Sequence, residues 1–465
     1  MTSDVAAPIQ ADTGVIKTMR RLRLPKKLRN LELALLIFAF AINAVAVMLV
    51  QLGALGHLDF ALITFGSGLS LLVLAFHIVL RYTAAEADPF LLPIATVLGG
   101  IGIAEIYRID IALGDSGWAS AAVRQMVWSA IAIAGAIAVV LIIRNHRVLF
   151  KYTYIAGLFA FVLLLLPLLP GIGREVNGAR VWIGIGDAVT FQPGEIAKIA
   201  LAVFFAGYLV RTRDSLSMVG KKFLGIQFPR LRDLGPILVV WAMAMGVIVF
   251  QRDLGTGLLY FGMFLVMLYV ATSRASWIII GLTMFFAGAF IAGQTLSYVA
   301  GRFHNWWDAF NPEVFDRDGG SYQLVQGIFG LAHGGLLGTG LGQGMPEITP
   351  VPQSDYIIAS LGEELGLAGL FAIFALYLLL VSRGFRVGYA GTDDFGKLLS
   401  IGLAFTVALQ VFVVVGGVTR IIPLTGLTTP FLAAGGSSLV ANWIIIAVLL
   451  RISDTVRTQP KAVVS

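Results

Sequence analysis

Pro350-Val351-Pro352-Gln353-Ser354-Asp355-Tyr356 runs without a break into Ile357-Ile358-Ala359-Ser360-Leu361-Gly362-Glu363-Glu364-Leu365-Gly366. The first half is polar and turn-forming. The second opens an apolar run that continues to Val381 and carries two acids. A charged side chain at the centre of a membrane helix costs at least ~2.5 kcal/mol, so acids placed there need a reason. This junction closes a stretch that begins Gly301-Arg302-Phe303-His304-Asn305-Trp306-Trp307-Asp308, the one long polar interruption in a very apolar chain. Of the 465 residues, 58% are hydrophobic and 13% charged, and mean hydropathy is +0.88. A soluble chain of this length needs more charge to cover its surface. The composition therefore specifies an all-α polytopic membrane protein, with 301–356 as its large extracytoplasmic loop.

Around that loop, hydropathy predicts about twelve transmembrane helices, at 31–52, 60–80, 90–107, 123–143, 152–169, 191–210, 235–250, 256–271, 277–300, 357–381, 398–415 and 431–450. A span takes ~17–25 residues, so the shortest of these, 235–250 and 256–271, rest on the least sequence. Residues 1–30 form a basic tail and 453–465 a short C-terminal one. With twelve spans, Arg144, Arg147, Lys151, Arg211, Arg213, Lys221, Lys222, Arg230, Arg232, Arg274, Arg383, Arg386, Lys397, Arg451, Arg457 and Lys461 fall on one side together with the basic tail. The positive-inside rule makes that side cytoplasmic, with both termini. The same rule accounts for the net charge of +7, so the charge is not read as a nucleic-acid surface. The chain has no cysteine, and its five histidines lack ligand spacing. A metal held by a His/Cys cluster is not expected.

Four outer stretches carry unusual polar residues. Arg180 and Trp182 precede Phe191-Gln192-Pro193-Gly194-Glu195-Ile196-Ala197-Lys198. Glu195 and Lys198 share a helix face; they read either as a pair that neutralises itself for insertion or as part of a substrate cavity. Asp253, in Gln251-Arg252-Asp253-Leu254-Gly255-Thr256, suits a helix start. Arg302 opens the long loop, and Trp306 and Trp307 suit headgroup level. The segment 322–337 reads as an interfacial amphipathic helix. Two prolines interrupt Arg420–Phe431 ahead of Gly435-Gly436-Ser437-Ser438. Irregular backbone at membrane depth needs protein or water around it, so this stretch reads as a cavity floor. Ser354 or Asp355 can cap the helix that follows. Glu363 lies about 80° round that helix from Asp355, within reach of a shared cavity, whereas Glu364 points away. Carboxylates with Arg180, Lys198 and Arg302 nearby suit a sugar–pyrophosphate substrate: the acid takes a hydroxyl proton and the cations stabilise the leaving phosphate.

Taken together, the 191–198 run, Asp253-Leu254-Gly255-Thr256, Ser354-Asp355-Tyr356-Ile357 with Gly362-Glu363-Glu364-Leu365-Gly366, Pro423-Leu424-Thr425-Gly426, Pro430-Phe431 and Gly435-Gly436-Ser437-Ser438 resemble the SEDS family (shape, elongation, division and sporulation), the RodA- and FtsW-type peptidoglycan polymerases. The resemblance covers Asp88 to the end. It implies a ten-helix core at 88–452, with 31–87 adding two N-terminal helices as in actinobacterial members. It implies a glycosyltransferase that polymerises lipid II on the outer face of the cytoplasmic membrane, beside a class B penicillin-binding protein. On that resemblance Asp355 takes the place of the essential loop aspartate and acts as catalytic base, and Glu195 and Lys198 take the place of an intramembrane pair. Arg180, Trp182, Asp253, Arg302, Glu363 and Ser437 are the remaining candidates for substrate contact. Gly194, Val181, Arg252, Gln353-Ser354 and Ala433-Ala434 depart from the family pattern and leave individual contacts open. Gln251-Arg252-Asp253 and the extra spans favour the elongation branch over the division (FtsW-like) branch. A divalent cation (Mg or Mn) could assist at the pyrophosphate. A lipid II flippase is the alternative, but it would want its charges near the bilayer midplane.

Overall fold

The computed structural model describes residues 26–176, 178–185, 189–216, 222–223, 226–227 and 234–458. The basic tail up to residue 25, the last seven residues, Asn177, Lys221, Arg230 and Arg232 lie outside the described residues. Fourteen helices carry the architecture. They are α1 (Lys26–Ala54), α2 (Phe60–Thr83), α3 (Leu91–Leu113), α4 (Ala121–Ile142), α5 (Thr153–Leu165), α6 (Pro193–Leu216) and α7 (Gly235–Gly246), followed by α8 (Leu254–Thr272), α9 (Ala275–Thr295), α10 (Ser297–Trp307), α11 (Tyr322–Gly334), α12 (Ile357–Ala390), α13 (Asp394–Val418) and α14 (Gly436–Thr458).

Among the described residues, ten helices are long and apolar enough to cross a membrane. The other two expected spans coincide with shorter apolar helices, Thr153–Leu168 and Gly235–Gln251. At ~1.5 Å per residue these reach only about 24–26 Å, against a hydrocarbon core of ~30 Å. Their lengths account for the gap between twelve and ten.

The bundle is concentric. Helices α3, α6, α8, α13 and α14 bury most of their residues, whereas α1, α2 and α9 bury under a third. Helix α14 packs on α4, α5 on α6, and α12 on α13; α1 and α2 lean on α3 and α4 from outside. Apolar residues all round each central helix explain this arrangement, because a helix without a polar face can sit at the centre of a bundle.

At one end of the bundle, Asp88 accepts from Arg383 Nε at 2.9 Å and Arg457 at 2.6 Å. His146 meets Asp393 at 2.9 Å, and Arg213 meets Asp394 at 2.7 Å. Buried Glu32 on α1 bridges Arg29 (2.7 Å) and His77 of α2 (2.6 Å), which ties the first two helices together. The opposite end, here the loop end, gathers 171–191, 251–253, 296–356 and 416–436. There Trp306 Nε1 donates to Arg420 O at 3.0 Å, and Ala434 N to Gln353 O at 2.8 Å.

Two features of the loop end were not foreseen. A three-stranded antiparallel sheet, β1 (Gly173–Val176), β2 (Ala179–Ile185) and β3 (Val189–Phe191), precedes α6. Its first turn holds Gly178 at φ +78°, where glycine has no steric penalty. Asn177-Gly178 is the sequence signal for such a hairpin. The other feature is a break in α12 at Gly366 (φ 66°, ψ −174°). Gly366 lies about 14 Å along the helix from its start. The freed backbone groups find partners in the loop after α11. Thr339 N and Gly340 N donate to Glu363 O and Glu364 O at 2.9 Å, and Leu367 N and Ala368 N donate to Gly335 O and Leu336 O at 3.0 Å. A broken helix at this depth is tolerated only with such repair.

Candidate active site

Asp355 stands at the entry to α12. Tyr356, not Asp355 or Ser354, occupies the cap position, and the cap makes no side-chain hydrogen bond. The Asp355 carboxylate is therefore not committed to holding the helix end. Ser354 Oγ donates to its Oδ1 at 2.8 Å. Asp355 is half-buried. Burial pushes its carboxyl above the ordinary aspartate value, against the opposing pull of the Ser354 hydroxyl and of positive Arg302. Arg302 sits on α10, where NH1 donates to Leu424 O at 2.9 Å, in the irregular floor between α13 and α14.

Arg302 also acts on Asp253. That residue caps α8, accepting from Thr256 N at 2.9 Å and from its hydroxyl at 2.5 Å. Burial raises its carboxyl; Thr256 and Arg302 pull it down, and Glu195 pushes it up. Arg302 is thus electrostatically coupled to Asp253 and to Asp355.

The pair on α6 forms. Lys198 Nζ lies 2.5 Å from Glu195 Oε2, with side-chain exposures of 1% and 7%, which marks it as a buried pair. Lys198 also donates to Gln410 Oε1 at 3.1 Å, and Gln410 Nε2 to Thr428 O at 2.8 Å. Ser437 Oγ accepts from Gln192 N at 2.8 Å, which pins the start of α6 to the start of α14. Pro193 enters α6 without needing a donor partner. Glu195, Lys198, Asp253, Arg302 and Ser437 therefore share one floor, Pro423–Gly436, with Asp355 at its edge through Gln353.

Three candidates lie apart from that group. Arg180 is exposed and pairs with Glu175 at 2.9 Å, which also lies 3.7 Å from Arg252. Trp182 is half-buried in β2, opposite Arg174. Glu363 accepts from His333 Nδ1 at 2.9 Å and Met345 N at 3.2 Å, on the α11 side, with no contact to Asp355 among the described residues. Glu364 does turn away, to Arg108 at 2.9 Å and the amides of Gly342 and Gly344. Both acids sit at the break in α12 and grip the loop that repairs it.

Arg108, Glu105, Gln410 and Gln125 escaped the sequence reading. Arg108 and Glu105 were detectable, because the rule that flags Glu195 and Lys198 flags any charge inside an apolar run. Gln410 and Gln125 are uncharged and gave no such signal. Among the described residues, no group of three or more His, Asp or Glu side chains is placed to hold a metal ion.

A bundle with ten helices long and apolar enough to cross a membrane among the described residues defines an all-α polytopic membrane protein. The chain belongs to the FtsW/RodA/SpoVE family (FTSW_RODA_SPOVE, "Cell cycle protein"), which matches residues 89–458. It is similar to the "Peptidoglycan glycosyltransferase RodA" of Mycobacterium tuberculosis (strain ATCC 25618 / H37Rv), 44% identical over 441 residues that cover 93% of each chain. "Stage V sporulation protein E" of Bacillus subtilis (strain 168) is 32% identical over 376 residues, 79% of this chain and 96% of that one. In fold, the chain resembles one in the structure described as "Structural coordination of polymerization and crosslinking by a peptidoglycan synthase complex". The TM-score is 0.61 at 22% identity, covering 80% of this chain and 99% of that one.

Proposed function

We propose that this protein is a peptidoglycan glycosyltransferase that polymerises lipid II at the outer face of the cytoplasmic membrane. In the step, the 4-hydroxyl of an incoming lipid II sugar attacks the anomeric carbon of the growing chain. Its proton passes to Asp355, and undecaprenyl pyrophosphate departs. A general base contributes ~100- to 10,000-fold. The raised carboxyl of Asp355 makes it a better proton acceptor than an unperturbed aspartate. Arg302 and Lys198 supply positive charge for the leaving pyrophosphate, in a setting where fixed charges act more strongly than in water. Asp253, Glu195 and Ser437 hold those cations and the floor in place. Arg180, Trp182 and Glu363 belong to the rim and to the walls.

The observation that carries the reading is the half-buried Asp355, free of capping duty and coupled to Arg302, in a chain with 44% identity to a named glycosyltransferase over 93% of its length. The lower identity to the sporulation relative supports the elongation role. On this reading both termini are cytoplasmic, residues 31–87 are an addition to the 88–452 core, and the partner is a class B penicillin-binding protein. The test is purified protein incubated with lipid II. Glycan ladders are expected from the native chain, and Asp355→Asn should fold normally yet lose at least about 100-fold of the rate. Ladders of normal yield from a well-folded Asp355→Asn protein would reject Asp355 as the base. Lipid translocation without any polymer would move the reading to a flippase.

A further inference from the structure

Between α1, α2, α3, α4 and α14 lies a partly open cavity of about 530 Å³, within the ~300–1,000 Å³ range of ligand pockets. Leu69, Leu74, Ile103, Met126, Leu439 and Trp443 supply much of its wall, and no Asp, Glu, Lys or Arg lines it. Five polar side chains also face it, and each donates to backbone instead. Ser67 donates to Thr64 O, Ser70 to Gly66 O, Thr96 to Leu92 O, Ser129 to Gln125 O, and the Asn43 amide to Thr96 O. Asn43 Oδ1 is left as a lone acceptor. Apart from Asn43 Oδ1 and the Trp443 indole, such a wall asks no polar group of its occupant. It suits hydrocarbon.

Glycine hollows this wall. Gly66 and Gly99 both line the cavity, and a Cβ built on either would meet nothing within 4 Å. Two of the helices that wall the cavity, α4 and α14, also hold the floor of the active site. Gln125, one residue before Met126, donates to Ala433 O at 3.0 Å and accepts from Gly435 N at 3.2 Å. Leu439 follows Ser437, which holds Gln192 at the head of α6. The cavity wall thus comes within about one helical turn of the contacts that hold the floor, and Lys198 reaches that floor through Gln410 and Thr428.

We infer that this cavity, formed jointly by the two N-terminal helices and the core, holds the polyprenyl chain of the lipid-linked substrate; the inference rests on the polymerase reading above. Nearness to the floor brings the chain within reach of a head group bound at Asp355. A methyl-branched chain is thicker than a straight acyl chain, and the missing side chains at Gly66 and Gly99 give it width. Bilayer tails are as apolar as leucine, so hydrophobic transfer cannot drive entry. Selection has to come from shape and close packing.

The test compares kcat/KM for lipid II bearing a full-length polyprenyl chain with that for an analogue of a few isoprene units, using the full-length protein. The native chain should prefer the long substrate. Gly66→Leu and Gly99→Leu, each adding a side chain at a position where the Cβ has open space, should each lower that preference by about tenfold. Gly135→Leu on α4 also has open space around its Cβ but lies outside the cavity, and it should keep the native preference. An unchanged preference in both filling variants, with monodisperse protein, overturns the inference and leaves the polymerase reading standing. Equal loss on long and short substrates overturns it too, since that marks a packing role. Phospholipid retained by the native chain and lost from Gly99→Leu, with no change in preference, assigns the cavity to a bilayer acyl chain instead. Failure of the native chain to polymerise either substrate removes both readings.

Discussion

Asp355 has to be ionised to take a proton, and its neighbours set the pH at which it is. Burial raises its carboxyl above the ordinary ~3.9, and the Ser354 hydroxyl and Arg302 lower it. Polymerisation should therefore fall on acidification at a pH above the usual aspartate range. Removing a donor to the carboxylate raises the value further. Ser354→Ala should thus move the acid limb of the pH–rate profile to higher pH, and the plateau rate should stay close to native. A limb that stays in place would mean that another group titrates. Lys198 is governed by different physics. Replacing it by Ala leaves Glu195 charged and buried, which costs about 3–5 kcal/mol unless the acid takes up a proton. The expected result is a clear drop in melting temperature in detergent, largely recovered by Glu195→Gln with Lys198→Met. Charges inside apolar runs made this pair visible in the sequence. Glu363 was misjudged in company rather than in burial: helical angle alone placed it with Asp355, and the loop that grips it comes from residues 335–345, which no periodicity connects to it.

At the scale of elements, hydropathy located ten long helices and two short ones but not what happens inside them. The span expected at 431–450 begins at Gly436 and runs to Thr458. Arg451 hid its far end, because that side chain is buried and donates to Val140 O and Thr83 O, where hydropathy reads a boundary. The span expected at 277–300 stops at Thr295, and an amphipathic helix, α10, starts at Ser297. The expected 322–337 helix exists as α11, with Leu324 and Val325 buried, so it rests on protein as much as on lipid. Of the two tryptophans, Trp307 is 76% exposed, whereas Trp306 is pinned to Arg420. The break in α12 was illegible because a membrane helix is apolar on every face, and no pattern is interrupted by a glycine. It is testable all the same. A Cβ at Gly366 would meet Gly338 N at 2.2 Å, in a backbone region open essentially to glycine alone. Gly366→Ala should cost at least about 2–3 kcal/mol and lower the melting temperature sharply. Gly301→Ala, in helical α10 with nothing within 4 Å, should be neutral or stabilising by up to about 1 kcal/mol.

For the whole molecule, acid–base pairs gather at one end of the bundle and the long loops at the other. Cysteine labelling in intact cells tests which end faces out. Asp318 is exposed at the loop end and Ser215 at the other, and Ser321, though close to Asp318, is fully buried and would mislead. A membrane-impermeant thiol reagent should label Asp318→Cys and spare Ser215→Cys; the reverse pattern would place the active site in the cytoplasm. Both orientations leave one property of the molecule unchanged. The loop after α11 completes the backbone of α12 through four hydrogen bonds at a depth where water is scarce. Lifting it would strand donors and acceptors on two chain segments at once, each costing several kcal/mol in hydrocarbon. Residues 335–340 therefore cannot serve as a lid. They are a fixed wall, and whatever opens to let a growing strand pass must be built from another part of the chain.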